Sequence, residues 1–489
     1  MAVQTLRRGR VGTHAPAGAG SGPAGTGQIV RREGAATDEC REGPAGAASA
    51  AGAVRRQVLL ALAGGMAGGL AAACGQRQEP GAGTRAQTPV TLRFAADRAR
   101  LDAGVQSVID AFNARGGPVR VEPELVTGSI VDKILTQAAA GDPPDLTHTH
   151  PRDYHPWVNA GALLALDDYM KRDRQNVPDI VPVALDYWAR DGRRWAMPNN
   201  LSVQNIYFNK EIFDRRGQKY PDHYEREGKW TFETYLDLAR QLTTGTGEHK
   251  IFGATWRHTL LDIQLGFIWP FGGDLWDKDR MRTVLDSKES LEAIQFQADL
   301  THKYGVAPTD EEWQQFASAP AASWGAAFSA GRAAMELQPN DSLLQHVVPA
   351  AFPKGMVPMP KGRAGRIIRG LAVGAHITKG SRHQDAAWEV ANFQAGKESE
   401  KIMLGLHVSL PWHKSTLADL ERSMPLYPWE SGAYYAEGVR RLRATPYVNR
   451  FTEISNLYSQ HYNMVRHGQK TAAQMMAEIK PQIDALLRG

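Results

Sequence analysis

The sequence predicts an α/β protein built as two lobes joined by extended chain, and three observations carry that prediction. From Val90 onward, strand-like and helix-like segments alternate with short links, the pattern of a parallel sheet flanked by helices. The 489 residues suffice for two lobes with cores of their own. The stretch Trp195 to Phe213 reads as extended chain with a polar middle. Pro198 fixes its own φ and pushes Met197 toward extended geometry, and Val203, Ile206 and Phe208 supply strand-forming side chains after Asn199 and Asn200. A segment of this kind would cross between lobes and offer amide donors and acceptors to a polar ligand. The same residues also fit a surface hairpin.

The first element in chain order is a leader. Residues 1–53 are rich in Ala, Gly and Arg without apolar periodicity, so they lie outside any core. A formal dinucleotide fingerprint, Gly20 to Gly25, has no strand before it and is interrupted by Pro23. Arg55-Arg56 precede an uncharged run, Val58 to Ala73, that ends in Ala71-Ala72-Ala73-Cys74. Charge, apolar core and small residues in that order mark an export signal. The run is short and glycine-rich for a membrane span, which needs about 20 mostly apolar residues. The small residues before Cys74 resemble the lipobox of bacterial lipoproteins, with Leu70 four places ahead of the cysteine rather than the usual three. In that resemblance Cys74 is lipidated and becomes the first mature residue. The paired arginines also resemble a twin-arginine signal. Residues 1–73 are therefore read as leader and 74–87 as a flexible tether.

Charge follows from this division. The leader holds eight basic and four acidic residues, leaving 49 and 48 behind it. The net charge of about +1 gives no support to nucleic-acid binding. The second cysteine, Cys40, lies in the leader, so the mature chain would have no disulfide and must rely on packing.

Beyond the tether, Val90 to Phe94 reads as a strand, and Val105, Val108, Ile109 and Phe112 as a helix face ending at Gly116-Gly117. Val119 to Leu125 is the next strand, Ile130 to Ala138 the next helix, and Asp145 to His148 a third strand after Gly141-Asp142-Pro143-Pro144. Ligands of parallel sheets sit beyond the carboxyl ends of the strands. That singles out Asp97 and Arg98 after the first strand, and His148 and His150 after the third. At the far end, Thr471 with Gln474 forms a capping box, and Met476, Ile479, Ile483 and Leu486 make one apolar helix face.

Landmarks along the chain carry a resemblance. Ala140 to Leu146, Gly161 to Asp168, Tyr207 to Phe213, Trp230-Thr231-Phe232, Gly272 to Trp276, Ala330 to Met335, Val357 to Gly362 and Asp385 to Glu389 resemble, in order, motifs of bacterial extracellular solute-binding proteins of the maltose-binding type. The resemblance implies a periplasmic-binding-protein-like fold of type II, with two α/β lobes and a ligand cleft between them. It implies residues 88–198 and 374–409 in the first lobe and 199–373 and 410–489 in the second, with crossings near Asn199, Gly370 and Pro411. It implies reversible binding by a monomer, no catalysis, no cofactor, and delivery to the permease of an ATP-binding-cassette importer. The protein would be exported and lipid-anchored on the outer face of the cytoplasmic membrane, or periplasmic.

Candidate contacts follow from chemistry and that layout. Sugars pack C–H faces on aromatic rings while their hydroxyls seek amides, carboxylates and guanidinium groups. Trp269 stands beside Pro270 and near Gly272-Gly273 in a region that contributes to the cleft in the family, and Trp412 lies at the third crossing. Asn340 and Asp341 follow the strand Ala333 to Gln338, and Arg369 precedes the second crossing. Arg369 and Arg98 keep an acidic or phosphorylated sugar open as ligand. His148, His150 and His155 lack the closed ligand set of a metal site. Tyr434-Tyr435 falls in a helix, where neighbours diverge, and reads as core. Asp167-Asp168 sits at a helix start, where acids complement the dipole. A secreted, anchored glycan-processing enzyme and a metal-binding receptor are the alternatives from other classes. No phosphate loop, zinc-protease His pair or nucleophile elbow is present in the sequence.

Overall fold

A computed structural model of the chain describes residues 89–97, 102–174, 177–256, 260–316 and 325–489. The leader, the tether with Cys74, and Arg98 lie outside the described residues. In chain order the principal elements begin with β1 (Val90–Asp97), α1 (Ala103–Ala114), β2 (Val119–Val126), α2 (Ile130–Ala139) and β3 (Leu146–Thr149). Next come β4 (Met197–Pro198), β5 (Ser202–Asn209), α3 (Phe232–Leu242), β6 (Phe252–Trp256), α4 (Leu261–Phe271), α5 (Lys288–His302) and β7 (Ala333–Pro339). The chain closes with β8 (Lys354–Pro358), β9 (Ile368–Leu371), β10 (Gly374–Ile377), α6 (Gln384–Gln394), α7 (Lys397–Gly405), α8 (Gly432–Arg440), β11 (Leu442–Arg443), α9 (Phe451–Arg466) and α10 (Ala472–Arg488).

Two main sheets result. The first runs β2-β1-β3-β10-β4, with β1 parallel to β2 and β3, and β10 antiparallel to β3 and β4. Leu92, Phe94, Ala95 and Ala96 of β1 are all buried, as expected of a parallel strand covered by helices on both faces. Each helix is cut by its own sequence. Asp102 caps α1 by accepting the Val105 N–H at 2.9 Å, and Ser129 caps α2 through the Asp132 N–H. Apolar residues at helical spacing, Val105, Val108, Ile109 and Phe112, then turn inward. α6 covers β1 and β10, and α7 packs on α1.

The second sheet runs β11-β9-β5-β7-β6, with β8 also paired to β5. Every residue of β5 is buried, because it is the central strand with partners along both edges. α4, α5, α9 and α10 pack together on this side. α10 begins at the capping box of Thr471 and Gln474 and turns Met475, Met476, Ile479 and Ile483 inward, as its sequence predicts. In α8, Tyr435 is fully buried and donates to Glu430, while Tyr434 is half-buried. Asp167 and Asp168 occupy the first turn of the helix Asp167–Arg172, but Asp167 accepts the Arg194 N–H at 3.0 Å and makes no cap to its own helix.

The chain passes between the sheets three times: from β4 to β5, from β9 to β10, and through the segment after α7. The three passages lie side by side. Gly370 and Leu371 pair with Val203 and Ser202. The Asn199 N–H donates to Val373 O at 3.0 Å, and the Leu410 N–H to Leu201 O at 2.7 Å. A Cβ on Gly370 would stand 2.1 Å from Ser202 O and 2.5 Å from Leu442 Cδ1. Only glycine permits so close an approach of the passing strands.

Candidate functional site

A cavity of about 410 Å³ lies where these passages meet the ends of both sheets. His148, His150 and Arg152, at and after the end of β3, line it together with Asp102 and Val105 from the start of α1. Across from them stand Leu260, Asp262 and Ile263 at the start of α4, with Pro339 at the end of β7 and Asp341 just after it. The passages contribute Asn200, Arg369, Leu371, Val373 and Val408. Chain ends of parallel strands expose backbone and polar side chains in one place, which is why ligand sites gather there.

The floor of the cavity is charged. Arg369 Nη2 donates to Asp262 Oδ2 at 2.7 Å, with the two side chains 3% and 2% exposed. Tyr447 donates its hydroxyl to the same oxygen at 2.9 Å, and its ring meets His150 edge-on at 5.4 Å. Burial opposes ionisation of Asp262, yet the charges of Arg369 and Arg152 and the Tyr447 hydroxyl hold its carboxyl below the usual carboxylate range. Among the described residues, Asp262 Oδ1 and Arg369 Nε have no hydrogen-bond partner, and neither does Asn200 Oδ1. Buried polar atoms are normally satisfied, so these three in one cavity mark where a polar ligand is expected.

The sequence-predicted residues divide cleanly. His148, His150, Asn200, Asp341 and Arg369 line the cavity. Asn199 stands one layer back: its Oδ1 lies 2.9 Å from His148 Nε2, and its Nδ2 donates to Gln394 Oε1 at 3.0 Å. It orients His148 rather than reaching the cavity. Asn340 turns its Oδ1 to the backbone, accepting the Val203 N–H at 2.9 Å, and does not line the cavity. Trp412 is fully buried and donates to Ala395 O at 2.8 Å. Asp97 ends β1 without lining the cavity.

Trp269 is also not brought there. It is 1% exposed, donates to Asp274 Oδ1 at 3.0 Å, and carries the Arg443 guanidinium 4.7 Å from its ring centre. Trp269 and Asp262 share α4, but seven residues of helix separate them by about 10 Å along the axis. The cavity takes the N-terminal end of that helix, and Trp269 is core at the other. His155 is likewise core: its ring lies 4.4 Å from that of Tyr154, and burial pushes it down to about 3, neutral at ordinary pH.

Sequence reasoning missed Asp102, Arg152 and Asp262. Asp262 did leave a signal: it is a lone carboxylate in the apolar run Leu260 to Ile268, and a charge in such a run must find a partner or a ligand.

The comparisons agree with this geometry. The model of the bacterial extracellular solute-binding protein family matches residues 95–401, more than half of the chain. A binding protein of Brucella abortus (strain 2308) is 22% identical over 411 residues, 82% of this chain and 93% of the relative. Among solved structures, an ABC substrate-binding protein of Listeria monocytogenes in complex with cycloalternan superposes with a TM-score of 0.71 at 19% identity, covering 82% of this chain and 99% of that one. The GacH receptor of Streptomyces glaucescens, solved unliganded and in complex with acarbose, gives a TM-score of 0.68 at 19% identity with the same coverage. These likenesses show the two-lobed α/β fold of maltose-binding-type proteins. By the family match over most of its folded length, the chain belongs to the bacterial extracellular solute-binding proteins.

Proposed function

We propose that this protein is the exported solute-binding component of an ATP-binding-cassette importer, holding a carbohydrate-like ligand reversibly in the cleft and delivering it unchanged to a membrane permease. One observation carries the reading: a buried carboxylate, guanidinium and amide present unpartnered atoms in a cavity walled from both sheets. Hydroxyls donate and accept at once, so a polyol satisfies all three. The sugar complexes named for the structural relatives, with cycloalternan and with acarbose, support the same class.

In this reading the first lobe takes residues 88–198 and 374–409 and the second 199–373 and 410–489. His148, His150, Asn200, Asp341 and Arg369 contact the ligand together with Asp262. The chain acts as a monomer held at the outer face of the membrane by a lipid on Cys74. Cys74→Ser should release it into the soluble fraction of cell envelopes; membrane retention by that variant would remove the anchor from the proposal.

The decisive experiment is a thermal-shift screen against a carbohydrate library, followed by recovery of the hit. A ligand at 100 times its dissociation constant should stabilise the folded state by about 2.7 kcal/mol and be recovered chemically intact. Turnover that scales with protein amount and survives repurification would turn the reading into that of an enzyme.

A further inference from the structure

The charge of Arg369 is already taken. Its guanidinium is joined to Asp262 at 2.7 Å, and both side chains are almost fully buried. Separating such a pair leaves an uncompensated charge in the interior, the costly half of buried ion-pair energetics. A ligand anion drawn to the free Nε of Arg369 would also meet the Asp262 carboxylate, whose Oδ1 is equally unpartnered. Asp102 and Asp341 add two more carboxylates to the wall. Arg152, the other guanidinium in the cavity, lies 3.7 Å from Asp153 and is partly exposed. An anion would therefore lose its hydration in a cavity where each guanidinium already stands beside a carboxylate and carboxylates outnumber guanidiniums three to two.

A neutral or amine-bearing polyol meets the opposite situation. A hydroxyl beside the pair can donate to Oδ1 of Asp262 and accept from Nε of Arg369. Asn200, whose Nδ2 is committed to Val408 O at 2.7 Å, keeps its Oδ1 to accept a second ligand donor. An ammonium group would meet a lining with three carboxylates, Asp102, Asp262 and Asp341, against two guanidiniums, Arg152 and Arg369, and could form charge-assisted bonds there.

We propose that Asp262 is the specificity-determining residue of the cleft: by neutralising Arg369 it makes the site select neutral or amine-bearing sugars and reject sugar acids and sugar phosphates. This rests on the carbohydrate reading above and narrows it, against the expectation from sequence that Arg369 leaves an acidic sugar open. The buried carboxylate keeps its negative charge through the neutral range.

The test is calorimetric titration of the full chain with D-glucose, D-galactose, D-xylose, L-arabinose and their disaccharides, beside glucosamine, galactosamine, glucuronate, galacturonate and glucose 6-phosphate. For a parent sugar that binds, the amine should bind at least as tightly, and the uronate or phosphate roughly 100-fold more weakly. Asp262→Asn alone should shift preference toward the anions, since Arg369 is then unpaired. If that variant fails to fold, the double variant Asp262→Asn with Arg369→Gln removes both charges together. Its discrimination against anions should shrink to within about tenfold. Anions binding the parent protein as tightly as the neutral sugar, or undiminished discrimination in the folded double variant, would overturn the assignment while leaving carbohydrate binding intact. If no sugar of any charge binds, the carbohydrate reading fails and this inference with it.

Discussion

Glu336 shows how far burial alone can move a group in this protein. It sits in β7 with no exposure, bonded to the Thr255 hydroxyl and to Gln338 Nε2 at 2.7 Å. No cation faces it in those contacts, and desolvation, opposed by the two hydrogen bonds, pushes its carboxyl from 4.5 up to about 8. The folded state therefore holds a proton that the unfolded chain releases near its ordinary value. The associated stability is present in full below about pH 4.5 and is lost as pH rises through about 8, levelling off above it. Glu336→Gln should remove that decline. Urea unfolding at pH 9 should show the variant more stable than the parent by on the order of 5 kcal/mol, with little difference at pH 4. Equal pH slopes for the two proteins would mean that Glu336 is ionised in the fold. Trp269 offers a second residue-scale test, since the structure makes it core. Trp269→Ala should cost about 3–5 kcal/mol of unfolding free energy and leave ligand affinity, once measured on folded protein, near that of the parent. A stable variant with weakened binding would return Trp269 to the site.

At the scale of elements, α4 and the passages decide the site. α4 is apolar nearly all round and buried from Leu261 to Pro270, so composition marks it as interior without saying which turn meets the cavity. That is why the sequence points to Trp269 when the helix offers Asp262. Two of the legible residues share another origin: His148 and His150 stand at and just after the end of β3, whose place in a parallel sheet follows from the alternation of elements, whereas Arg369 was legible from the crossing that it precedes. Asn199 and Asn200 were legible as a pair, but in the link between β4 and β5 the two neighbouring side chains take different directions. One amide faces His148 and Gln394 while the other joins the cavity, and the sequence does not say which. Gly370 carries the element-scale prediction. A Cβ added there would stand 2.1 Å from Ser202 O, so Gly370→Ala must push the first and second passages apart. The expected cost is about 1–3 kcal/mol, seen as a lower urea midpoint. Ligand affinity should fall as well, because Arg369 is the preceding residue. Unchanged stability would show that the passages can slide without strain.

At the scale of the whole folded region, the question is what the ligand does to two sheets connected by three adjacent passages among the described residues. Few backbone torsions separate them, so the lobes can rotate about the passages at little cost, and the position of that equilibrium is set by what bridges the cleft. The bridge includes the edge contact of His150 with Tyr447 at 5.4 Å, one ring from each side. A polyol bound to Asp262 and Arg369 on the floor and to His148 and His150 on the opposite wall would add hydrogen bonds made only when both walls are near. A ligand shifts such an equilibrium by its differential affinity for the two states and no further. Small-angle scattering should therefore show a smaller radius of gyration in the presence of a saturating sugar, and the melting temperature should climb with ligand concentration. Tyr447→Phe sharpens the test. It keeps the ring against His150 but removes the hydroxyl from Asp262 Oδ2, a loss of about 1.5–3 kcal/mol for a bond to a charged group. Closure should survive in this variant with weaker affinity, because the bridge between walls is intact. A parent protein that binds sugar without any change in radius would mean that the cleft is rigid and that recognition of the loaded form must rest on the ligand-covered surface alone.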